Sequence, residues 1–166
     1  MSERVVPLEG ISLPLPSSPS DEVVLHGDMN SFLVYATFHA SKDQTANTVL
    51  VECVRLSLCR FGYPNDEGII EHRLYSKGLS DLLGFGEVKN SELVRECETM
   101  SQRSANRIWS GRGISLPKDS RPRQRHFIIS LKENCFEAVC DDLQLVGIFP
   151  DHRKALEEAK AKINLG

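Results

Sequence analysis

The chain of 166 residues contains no apolar run near the ~18 residues that a membrane-spanning helix needs, so no membrane partner is expected. It has no Walker A pattern and no GxSxG elbow. Gly84-x-Gly86 begins a dinucleotide-like spacing, but Lys89 stands where the third glycine would fall. It also has no CxxC pair. Cys53 and Cys59 on one continuous strand would lie about 20 Å apart at ~3.3 Å per residue, and Cys135 and Cys140 would face opposite ways. No metal site and no cofactor are therefore expected.

The five cysteines (Cys53, Cys59, Cys97, Cys135, Cys140) are an odd number, where a secreted disulfide framework is normally even. The opening MSERVVPLEG has no basic start followed by an apolar run, so no secretory leader is expected. Cytoplasmic free thiols, packed as small apolar groups, follow as the expectation.

What is present is an ordinary balance of 40% hydrophobic and 26% charged residues, with a net charge of −3. Residues 7–20 carry four prolines and four serines, so residues 1–21 are expected to form an extended arm lying on one α+β domain over 22–166. EVVLH and SFLVYATFHA read as strands, with Phe32, Val34, Ala36 and Phe38 toward the core. TVLVECVRLSLCRF (48–61) reads as one long strand, completing an antiparallel meander. EHRLYSKGLSDLL has no clear period.

The spacing then predicts a helix over 91–103, capped by Asn90 or Ser91, with Leu93, Cys97 and Met100 as its apolar stripe. HFIISL, CFEAVC and LQLVGIF follow as strands at hairpin spacing, and Asp141-Asp142 reads as a turn. A second helix is expected over 151–163, with Asp151 as cap and Leu156, Ala159 and Ile163 facing inward. The fold class is α+β on a mostly antiparallel sheet, a meander or barrel-like arrangement, with two helices and a long basic loop.

EHRLYSKGL, GEVKNSELVREC and RHFIISLKENCFEAV, in that order, resemble a set of small bacterial proteins with no known activity. In that set a His-Pro-Leu-Tyr segment, an Asn-Ser-x-Trp helix start and a His-led strand before Phe-Glu recur. This chain departs from the set at Arg73, at Leu93 and at Lys132-Glu133, where the set has proline, tryptophan and His-Asp. The resemblance spans roughly residues 25–145 and implies a shared fold without a function.

Charge is unevenly placed. Residues 103–125 hold seven cations and one acid, a net +6, so the rest of a chain of charge −3 carries −9. Six of the seven are arginines, whose planar forks suit phosphate or carboxylate, and the only tryptophan lies among them. The primary expectation is a non-enzymatic binding module that contacts an acidic ligand, protein or nucleic acid. Arg107, Trp109, Arg112, Arg121, Arg123, Arg125 and His126 would form its surface. On this reading His126 is a polar residue at a strand end. The alternative is a small enzyme with a pocket under the loop, using His126 with Glu137 or a nearby cysteine.

Overall fold

The computed structural model describes residues 2–17, 22–28, 30–38, 46–82, 84–109 and 124–164. Among the described residues, nine strands form two antiparallel sheets. One has the order β1 (Arg4–Val6), β6 (Phe85–Lys89), β7 (Arg125–Ser130), β8 (Cys135–Cys140), β5 (Leu58–Gly62). The other has the order β2 (Val23–His26), β3 (Asn30–Phe38), β4 (Ala46–Val54), β9 (Asp142–Phe149). The class is the expected α+β with antiparallel pairing, and the sheets do not close into a barrel.

The sheets pack face to face. Leu33, Tyr35, Val49, Val51 and Cys53 from the four-stranded sheet meet Phe127, Ile129, Phe136, Ala138 and Cys140 from the five-stranded one. Phe32, Val34 and Ala36 are buried as expected, the side chain of Phe38 lies outside the described residues, and the opposite face of β3 is buried too. Leu33 and Tyr35 fill the core between the sheets, while Phe32 and Val34 pack with Leu50 under helix α2 (His152–Asn164), against Ala155 and Ala159. Both faces of β3 are covered, so alternation carried no polar side to read.

Two expectations fail for one geometric reason. Residues 48–61 are not one strand: Arg55 adopts φ 50° and the chain passes from β4 in one sheet to β5 in the other. Nor are β8 and β9 a hairpin, because Asp141 is a second corner between the sheets. The corners lie side by side, with the Asp141 N–H donating to the Val54 carbonyl at 2.9 Å and an Arg55–Asp141 ion pair across them. Cys59 is thereby returned toward Cys53 and Cys140 instead of lying a strand's length away. Among the described residues no group of His, Cys, Asp or Glu could hold a metal ion.

The outer face of the five-stranded sheet is covered by two elements. Residues 69–81 run as three short 3-10 turns (Ile69–Glu71, Tyr75–Lys77, Leu79–Asp81) that bury Leu74 and Leu79 against Val5, Val88 and Ile128. Gly78, at φ 107°, lets this segment pass β1 closely, since a Cβ there would lie 2.7 Å from the Val5 carbonyl oxygen. Helix α1 (Glu92–Trp109) is longer than expected, and only its first turns dock: Leu93 and Val94 pack on Val139. Met100 is exposed, so the expected stripe ends at Cys97. Among the described residues, no helix is long and apolar enough to cross a membrane.

Candidate functional site

The pleat sends His126 and Glu137 to the outer face of their sheet. On β7 and β8, Phe127, Ile129, Phe136 and Ala138 point inward, so the residues alternating with them point outward. His126 lies across from Val139, and Glu137 from Ile128, which makes His126 and Glu137 diagonal neighbours. Glu137 Oε2 is 2.9 Å from His126 Nε2. The oxygen sits off the axis of the ring N–H, so this is a close approach and not an aligned hydrogen bond.

Ser91 reaches the other ring nitrogen. Strand β6 ends at Lys89, Asn90 takes φ 56°, and Ser91 then caps α1, its Oγ accepting the Val94 N–H at 3.2 Å. The same Oγ lies 2.8 Å from His126 Nδ1. With a proton on Nε2 toward the carboxylate, Nδ1 accepts from the Ser91 hydroxyl, and every hydrogen in the chain has a place. Ser91 is 4% exposed and His126 is fully buried. Both line a groove of about 610 Å³ between the start of α1 and residues 124–126, which Lys89, Asn90, Arg95 and Arg125 also line.

Behind Glu137 stands a charge cluster whose carboxylates are buried and whose cations reach solvent. Arg73 donates to Glu137 Oε2 at 2.6 Å and to Glu3 Oε2 at 3.0 Å. Lys77 donates to the same Glu3 oxygen at 2.9 Å, and Glu3 Oε1 accepts the Glu92 N–H at 2.9 Å. Two carboxylates, Glu3 and Glu137, thus face two full cations, Arg73 and Lys77. Burial alone would raise the Glu137 carboxyl, but contacts from His126, His72 and Arg73 outweigh it and hold the group well below the usual carboxylate range. Glu3 is lowered in the same way: burial opposes, and the Glu92 N–H, Lys77 and Arg73 prevail.

The sequence-derived site residues divide. His126 and Glu137 are brought together, as the enzyme reading required, and His126 is a buried group instead of a strand-end one. Arg125 is engaged inside the fold, bonded to Glu87 at 2.7 Å and Asp142 at 2.9 Å and stacked 4.7 Å from the centre of the Phe127 ring. Arg107 is exposed in the last turn of α1. Trp109 ends that helix, and its side chain lies outside the described residues, as do Arg112, Arg121 and Arg123. No cysteine joins the Ser91–His126–Glu137 chain. Burial pushes Cys135 up to about 12 and Cys59 up to about 11, and Cys97 is also raised, so none of these three is primed as a thiolate.

Sequence reading missed Glu3, His72, Arg73 and the second role of Ser91. The available signal was the order strand, Asn, Ser, helix, in which serine reads first as a cap. No protein-family model, curated protein or solved structure matches the chain.

Proposed function

We propose that this chain is a small enzyme that transfers or hydrolyses an acyl group, with Ser91 as nucleophile, His126 as general base and Glu137 as the group that orients and stabilises the imidazole. One observation carries this reading: Ser91 Oγ, the His126 ring and Glu137 are in sequence at 2.8 and 2.9 Å, with Ser91 and His126 lining a groove. As Oγ attacks a carbonyl carbon, its proton passes to Nδ1. The imidazolium formed is stabilised by Glu137 and returns the proton to the leaving group, and water then releases the acyl group by the same route. The three stretches that resemble the bacterial set each supply part of this arrangement: His72, Ser91, and His126 with Glu137.

The test is a fluorophosphonate probe with peptide mapping of the labelled residue. Labelling at Ser91 that disappears in His126→Ala is expected. A folded wild-type protein that takes no label and cleaves no activated ester would overturn the proposal.

A second reading keeps the basic segment as a polyanion-binding surface. Exposed Arg103 and Arg107 on α1 favour it, while the engagement of Arg125 with Glu87 and Asp142 weighs against including that residue. It requires affinity for single-stranded RNA that falls steeply with salt, because each phosphate neutralised releases counterions.

A further inference from the structure

A second cavity, of about 360 Å³, opens on the other side of Glu137. Arg60 on β5 stands directly across from Glu137 in the sheet. The two carboxylate oxygens of Glu137 are treated differently. Oε2 receives Arg73 at 2.6 Å and faces His126 at 2.9 Å. Oε1 has only long approaches among the described residues: His72 Nε2 at 3.4 Å and Arg60 Nη1 at 3.9 Å. Charge-assisted bonds to a carboxylate normally close to about 2.7–2.9 Å, so Oε1 is an under-used acceptor.

The donors around it are also available. The Arg60 side chain is 51% exposed, and its contact with Glu137 is too long for a hydrogen bond. His72 Nδ1 already accepts the Leu74 N–H at 3.2 Å, which leaves its ring proton on Nε2, toward Oε1. The cavity therefore offers one acceptor beside one planar fork of donors.

Charge narrows what fits. The lining holds two arginines, Arg60 and Arg73, against two acids, Glu71 and Glu137. A bare anion on Arg60 would face the Glu137 carboxylate, and a bare cation on Glu137 would face the guanidinium. A molecule of no net charge that carries an ammonium and a carboxylate on one carbon satisfies both.

We propose that this cavity binds a free α-amino acid, its carboxylate on Arg60 and its ammonium on Glu137 Oε1. Tyr63, exposed at the rim, supplies an apolar wall beside the ligand's side chain. The site shares Glu137 with the candidate catalytic chain but does not depend on Ser91 being reactive.

The experiment is a titration of the full chain, followed by two-dimensional amide NMR, with glycine and with its two halves, acetate and methylammonium. Glycine should shift the amides of residues 60–62, 71–73 and 135–137 and saturate at millimolar concentration. Each half-ligand should bind at least about tenfold more weakly. Arg60→Gln removes an exposed side chain, so it should keep the folded spectrum and lower glycine affinity by about tenfold or more. Absence of glycine shifts at these positions would overturn the proposal, as would a half-ligand that matches glycine or an Arg60→Gln protein that binds like wild type. Labelling of Ser91 is read separately, so failure here is distinct from failure of the acyl-transfer reading.

Discussion

Arg73 joins Glu3 to Glu137, with one guanidinium nitrogen 3.0 Å from the first carboxylate and the other 2.6 Å from the second. Residues 70 and 64 positions away along the chain are thus tied by one side chain. Through Glu3 the link reaches the Glu92 N–H, the peptide that follows Ser91, so the residue just before β1 touches the candidate site at both ends.

Replacing Glu137 tests that dependence. Glu137→Gln keeps the shape but leaves Arg73 facing one carboxylate instead of two. A loss of about 1–3 kcal/mol is expected, below the scale of a fully buried ion pair because the Arg73 side chain reaches solvent. Glu3→Gln should cost less than the sum when combined with it, with a coupling of about 0.5–3 kcal/mol through the shared arginine. Urea denaturation of both single variants and the double variant measures this, and strict additivity would mean that the two acids act separately.

Ser91→Ala removes both a helix cap and the partner of a buried ring nitrogen. The cap is worth about 1 kcal/mol and the stranded acceptor about 1–3, so a loss of about 2–4 kcal/mol is expected. Ser91→Thr keeps a hydroxyl and should recover most of it. Thermal melts of the two variants check the order.

Acid should unfold the protein through Glu3, Glu87 and Glu137. All three carboxyls are held below their ordinary value of 4.5 in the fold. For Glu87, burial opposes and the Arg125 and Lys89 contacts prevail. A depressed folded pKa gives stability that is complete above the unfolded value and lost as pH falls through the folded one. Urea midpoints should therefore be level from pH 7 to about 5 and fall below about 4.5, with a shallower fall in Glu137→Gln. An equal fall in that variant would remove Glu137 from the account.

Thiol reactivity should follow burial. All five cysteines are free; Cys53, Cys135 and Cys140 are buried, and Cys59 and Cys97 are partly exposed. Cys97 should be alkylated first in native protein, and the three buried thiols only with unfolding, because the thiolate is the nucleophile. Cys53 is held well above the ordinary thiol value, through its contact with Cys140 and its burial. Pulsed alkylation with mass spectrometry gives the order.

Ala159 is fully buried where α2 meets Phe32, Val34 and Leu50. Ala159→Leu should cost about 1–3 kcal/mol by overfilling that seam. An unchanged melting temperature would show that α2 can lift from the sheet.

The sequence determined much of the local structure. Alternation marked β3 and the three apolar runs after residue 125, apolar spacing with a polar cap marked both helices, and together they placed the chain in the α+β class. It also singled out His126 and Glu137 as a pair worth weighing. The tertiary structure alone decided where the chain changes sheets, because Arg55 and Asp141 turn it with side chains that also suit exposed strands and hairpins. It alone decided that β3 is buried twice, since a strand's pattern does not reveal what covers its second face. The site belongs to that level too. Glu3, Arg73, Ser91, His126 and Glu137 come from five separate segments, and each has an ordinary local explanation as an edge charge, a turn residue, a cap or a strand residue. Only the pleat, which turns His126 and Glu137 to one face, the pairing of β1 at the sheet edge, and the docking of the 3-10 segment and α1 over that face bring them within hydrogen-bonding distance.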